Sequence, residues 1–210
     1  MKKTSLFIVL SIVTVQLMTA QNSKKWSKRA EPIASNWVLG AGFNTVNNSG
    51  AGITGYSKFD HWAFGKIPFY GSVETNLSAK WRAKATLSLN YFKDGKQFNG
   101  ATILGESEGG NDAGYLALDL GAQYYFLESK KYEPYAMAGM GLSHFGDYST
   151  TRDPLTVVKP VDAFTFNLGV GINYWFSKTW GLNAQLLGKW SLGEKGNNHS
   201  QASIGALYRL

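Results

Sequence analysis

The stretch that most constrains this chain is residues 163–176, AFTFNLGVGINYWF. Phe164, Phe166, Leu168, Val170, Ile172, Tyr174 and Phe176 alternate with Thr165, Asn167, Gly169, Gly171, Asn173 and Trp175. A period of two puts alternate side chains on opposite faces of a strand. The run exceeds the five or six residues of a typical soluble strand. It suits a tilted strand crossing a bilayer, which takes about 9–11 residues. No helix-period stripe competes with it.

Seven further stretches carry the same design: residues 37–46, 68–77, 82–91, 115–127, 134–146, 181–191 and 201–210. In residues 82–91, Ala83, Ala85, Leu87, Leu89 and Tyr91 oppose Arg82, Lys84, Thr86, Ser88 and Asn90. The connections alternate in length. Residues 47–66, 94–114 and 147–162 are long and 193–199 is a modest loop, whereas 78–81, 128–131 and 177–180 are tight turns. An up-and-down antiparallel ring sends these two sets to opposite ends, the pattern of membrane barrels with short turns on one side and longer loops on the other. The predicted fold is all-β: an eight-stranded antiparallel up-and-down transmembrane β-barrel over residues 37–210.

Alternation alone leaves the facing open, because a soluble lipocalin-like barrel has the same period with apolar residues inside. Two features favour apolar outside. The polar face is mostly Gly, Asn, Ser, Thr and Gln, suited to a narrow lumen, where a water-facing surface would carry more Lys and Glu. Bulky aromatics gather at the strand ends: Trp37, Phe69, Trp81, Tyr91, Phe126, Tyr174, Phe176, Trp180 and Trp190 resemble two interfacial girdles. A ring also has to pair its first and last strands to leave no open edge.

Composition closes off other classes. The chain has no Cys, so it has no disulfide framework and no thiolate nucleophile or metal ligand. Its 24 Gly, 14% aromatics and 17% charged residues fit a barrel better than a helical bundle. Residues 1–20 read as a secretory signal peptide: Lys2 and Lys3, an apolar run from Leu6 to Val15, and Met18-Thr19-Ala20 before Gln21. The apolar run is shorter than a spanning helix needs. Without Lys2 and Lys3 the chain keeps 19 basic and 14 acidic residues, a net +5. These form no basic helix or nucleic-acid motif, so no nucleic-acid partner is expected. Residues 21–36, with Lys24, Lys25, Lys28 and Arg29, read as a flexible periplasmic lead-in.

On these residues the chain resembles the OmpA-like outer-membrane β-barrel family over 37–210. The resemblance rests on strand count, loop alternation and the last strand, Ser203-Ile204-Gly205-Ala206-Leu207-Tyr208-Arg209-Leu210. It departs at the end, where family members usually carry Phe or Trp and this chain has Leu210. It implies outer-membrane localisation and contact with outer-membrane lipids. No residues are left over for the peptidoglycan-binding domain of many members, so cell-wall tethering is not implied.

The facing sends Glu74, Arg82, Lys84, Asp119, Lys189 and Arg209 into the lumen. Buried charges have to pair, so an internal ion-pair network is expected, similar to that of the family. It serves either as a plug that specifies packing or as a gate whose pairs exchange. Eight strands enclose little more than their own side chains, so a wide pore is excluded. His61, His144 and His199 all fall at the loop end. A lipid-acting enzyme could use one with Ser143, Ser200, Asp60 or Asp147, and a metal site is conceivable, but no spacing supports either. The glycines at 50, 52, 55, 109 and 110 fit no phosphate-binding loop. The expected role is structural anchoring with loop-mediated contact to envelope or extracellular protein partners. A narrow porin-like channel is the alternative, and no catalysis or cofactor is expected.

Overall fold

The computed structural model describes residues 37–49, 58–93, 95–98, 101–102, 113–127, 131–150, 153–193 and 198–210. The signal-peptide and lead-in readings fall outside these, as do parts of every long loop and of the 128–131 turn.

The eight expected strands form. They are β1 (Trp37–Asn47), β2 (Phe69–Asn76), β3 (Trp81–Phe92), β4 (Ala113–Tyr125), β5 (Tyr132–Phe145), β6 (Val161–Trp175), β7 (Trp180–Ser191) and β8 (His199–Arg209). Each pairs antiparallel with its neighbours in chain order, and β8 pairs with β1 from Val38↔Arg209 to Asn47↔Ser200, which closes the ring. The Leu210 N–H donates to Trp37 O (3.1 Å) and fastens the seam at its last residue. Closure leaves the barrel without a free edge, the condition for burying a sheet in lipid.

The tight turns follow local chemistry. At 177–180 the Ser177 hydroxyl accepts from the backbone N–H of Thr179 (3.2 Å) and Trp180 (2.8 Å). Between β2 and β3 the N–H groups of Leu77 and Ser78 both bond Trp81 O. At the other end, short strands sit inside the long connections. Gln97–Phe98 pairs with Ala101–Thr102, and Tyr148–Thr150 pairs with Asp153–Val158. Trp62–Ala63 adds to β1 opposite Asn47 and Val46.

The facing is apolar outward and polar inward. On β6, Phe164, Phe166, Leu168, Val170 and Ile172 are exposed, while Thr165, Asn167 and Asn173 are fully buried. The girdle residues Trp37, Phe69, Trp81, Phe126, Phe176, Trp180 and Trp190 all lie on the exposed face. A water-facing protein does not expose so continuous an apolar surface, which rules out the lipocalin-like arrangement.

The lumen is more aromatic than the alternation suggests. Val46, Phe92, Ala113, Tyr115, Phe145 and Tyr148 cluster at the loop end, with Ala63 of the inserted segment among them. Tyr125, Tyr135, Met137 and Leu187 form a second cluster, and Val38, Trp175 and Leu207 a third. Glycines on the inner wall make room for these rings. A Cβ on Gly171 would run into the Tyr135 ring, and one on Gly141 into the side chains of Asp119 and Asn167.

Candidate functional site

The candidate site is the polar interior of the barrel. Strand parity positions its members: Glu74 on β2, Arg82 and Lys84 on β3, Asp119 on β4, Lys189 on β7 and Arg209 on β8 each occupy an inward position. Glu74, Arg82, Lys84, Asp119 and Lys189 are buried. They assemble into two groups.

Nearer the loop end, Lys189 Nζ donates to Asp119 Oδ2 (2.7 Å) and to the Tyr115 hydroxyl (3.0 Å). Asp119 Oδ1 accepts from Asn167 Nδ2 (2.8 Å), whose own Oδ1 accepts from the Thr165 hydroxyl (2.7 Å). Tyr115 OH and Ser143 Oγ lie 3.2 and 3.3 Å from His199 Nε2. Every charged atom of this group is thus paired and hydrogen-bonded, the condition under which buried charge is tolerated.

Nearer the turn end, Arg82 forks onto Glu133, with Nη1–Oε2 at 2.9 Å and Nη2–Oε1 at 3.1 Å. Its Nε donates to Asn76 Oδ1 (2.8 Å) and its guanidinium stacks over the Tyr125 ring at 4.3 Å. Trp175 Nε1 also donates to Glu133 (2.8 Å). Arg209 stands at the mouth, half-buried, 3.9 Å over the Trp175 ring and 3.8 Å from Glu133. Glu74 is fully buried with Lys84 Nζ at 3.1 Å and Arg82 Nη1 at 4.0 Å. Lys84 also donates to Gln185 Oε1 (3.1 Å). Neither Glu74 oxygen is aligned to accept a hydrogen bond among the described residues.

Several positions differ from the sequence reading. Glu133, absent from the predicted network, is the nearest acidic partner of Arg82, at 2.9 Å against 4.0 Å for Glu74. Strand β5 starts at Tyr132 rather than residue 134, so Glu133 shares inward parity with Tyr135 and Met137. His199 is a buried strand residue and not part of the last loop, because β8 starts two residues earlier than expected. Arg209 and Lys189 lie on adjacent strands but ten residues apart along the register, since Lys189 sits opposite His199.

The three histidines occupy separate places. His61 lies in a short turn, Phe59–His61. His144 faces outward with Nδ1 2.7 Å from Asp162 Oδ1. His199 is inside. Ser143 meets His199 rather than its sequence neighbour His144, and that pair lies beneath the aromatic cluster of Phe92, Tyr115 and Phe145.

At the loop end the wall beside β1 is continued by Trp62–Ala63. Residues 62–65 are held there by Asn90, whose Nδ2 donates to Ala63 O (3.0 Å) and whose Oδ1 accepts from Gly65 N–H (3.0 Å). The Thr45 hydroxyl also donates to Ala63 O (2.9 Å).

A closed ring of eight strands, charged within and apolar without, has close counterparts among solved structures. OprG from Pseudomonas aeruginosa superposes with a TM-score of 0.55 at 13% identity, covering 84% of this chain and 96% of that one. Ail, the attachment invasion locus protein of Yersinia pestis, gives 0.51 at 13%, covering 84% and 97%. The N-terminal barrel domain of Pseudomonas aeruginosa OprF gives 0.51 at 17%, covering 84% and 98%. The chain has the fold of an outer-membrane barrel. With its unbroken apolar belt it spans the outer membrane. No protein-family model and no curated protein matches it.

Proposed function

We propose that this outer-membrane barrel is a non-catalytic structural protein that anchors in the membrane and meets envelope or extracellular partners through its long loops. The observation that carries this reading is the filled lumen. Paired charges occupy its middle and turn end, and aromatics its loop end. Side chains packed and paired this way favour a rigid post, and binding commonly resides on loops held by such a scaffold. The test is a planar-bilayer recording of the purified full chain. Absence of steady conductance supports the reading, and a stable open level overturns it.

A second reading, a narrow small-solute channel, draws on one observation. The Glu74 carboxylate lies between two cations, Lys84 at 3.1 Å and Arg82 at 4.0 Å, and Arg82 has Glu133 as its other acid. A carboxylate with two suitors supports exchange of partners, which is how an ion-pair gate opens. Brief openings whose frequency changes in Glu74→Gln favour this reading. Identical silence in both proteins removes it.

A further inference from the structure

The turn end repeats one arrangement three times on the outer wall. Trp81 packs against Tyr124 with ring centroids 5.0 Å apart, Tyr132 stacks on Tyr174 at 5.0 Å, and Trp180 packs against Tyr208 at 4.8 Å. Each is a directly opposed cross-strand pair, on β3–β4, β5–β6 and β7–β8 respectively. The turn leading into each pair carries an exposed lysine: Lys80 directly before Trp81, Lys131 directly before Tyr132, and Lys178 two residues before Trp180. Lys131 Nζ lies 5.6 Å above the Tyr174 ring.

The charge here is one-sided. Residues 78–80, 128–131 and 177–179 contain four lysines and one glutamate. The next carboxylate in the chain, Glu133, points inward and is held by Arg82. Amphipathic rings settle at the level of lipid headgroups. A lysine beside them lays its methylenes along the apolar surface and carries its ammonium to the phosphate plane. At the β5–β6 pair, where Lys131 lies above the Tyr174 ring, two rings with one cation complement a single anionic phospholipid: glycerol and upper acyl carbons against the rings, a phosphodiester against the ammonium. At the other two pairs the neighbouring lysine, Lys80 or Lys178, is exposed and can reach the same place. A zwitterionic headgroup brings its own cation to the same place and gains less.

We infer that each ring pair with its lysine is a seat for one anionic phospholipid of the leaflet on the turn side, giving three seats around the wall. This rests on the membrane-spanning fold and is independent of the anchoring and channel readings.

The test is native mass spectrometry of the full chain released from nanodiscs containing equal amounts of phosphatidylglycerol and phosphatidylcholine. A basic residue near an anionic surface is worth about 1 kcal/mol, so retention of phosphatidylglycerol is expected at about fivefold over phosphatidylcholine in each seat. The triple variant Lys80→Gln, Lys131→Gln, Lys178→Gln keeps every ring pair and is expected to retain both lipids equally. The unboiled gel mobility of the folded barrel checks that it still folds, and should it not, the three single variants each lose one bound phosphatidylglycerol. Equal retention by the natural chain, or an undiminished preference in the variants, overturns the inference. So does lysine-dependent retention of added lipid A in place of phosphatidylglycerol, which would put these turns at the opposite leaflet.

Discussion

Asp119 and Lys189 show what a single residue can cost in this lumen. Both are buried, and each satisfies the other at 2.7 Å. Removing one partner leaves an unpaired charge, so Lys189→Met is expected to lower stability by about 3–5 kcal/mol. Adding Asp119→Leu removes the stranded carboxylate, and the double variant should recover most of that loss. Urea unfolding of the refolded barrel in vesicles checks both, and a double variant no more stable than the single one contradicts the pairing. These two residues were legible in the sequence because both lie inside an alternating run, where a period of two fixes the face. Glu133 and His199 were not legible, because they sit at strand ends, and ends slide by a residue or two. Pro134 looked like the first residue of its strand, a common place for proline. In the structure it is an outward position inside β5, opposite Ile172.

At the scale of the element, the informative piece is the inserted segment at 62–65. Two residues of strand have no propensity signal of their own, and nothing in a glycine-rich connection announces that it rejoins the wall beside β1. What holds it is tertiary: the Asn90 side chain bonds both the Ala63 carbonyl and the Gly65 N–H. Asn90→Ala is therefore expected to free the segment while leaving β3 intact. Hydrogen exchange should report it, with the Gly65 amide becoming unprotected and the amides of β3 unchanged apart from Tyr91, which also donates to Asn90 Oδ1 (2.7 Å); continued protection at Gly65 would contradict the clamp. The inner glycines make a second case. Their small size was readable as a narrow lumen, but not which ring each one faces. Gly171→Val drives a branched side chain into Tyr135, which holds Asn183 and Gln185. Overpacking of this kind costs about 1–3 kcal/mol, to be seen as a lowered urea midpoint with an unchanged slope.

For the whole molecule, strand number and order followed from one period and from alternating loop lengths, and the facing from the sparse charge of the polar face and the aromatics at the strand ends, since with one face in lipid a one-residue slip would turn every apolar side chain inward. The aromatic content of the interior did not follow, because counting polar residues on a face says nothing about how a Tyr or Trp at the same parity fills space. A folded barrel of this kind should migrate as a compact species on a gel when unboiled and shift on boiling. A chain lacking residues 199–210 should show no such shift, because β1 and β7 would each lose a partner strand.

The seam between β8 and β1 also gives the protein a clock. The strand that completes the ring is the last of the eight in chain order, so before it is in place the barrel presents two adhesive edges and an apolar wall. Closure in this design arrives with residues 199–210. Until then, survival depends on whatever escorts the unfinished chain.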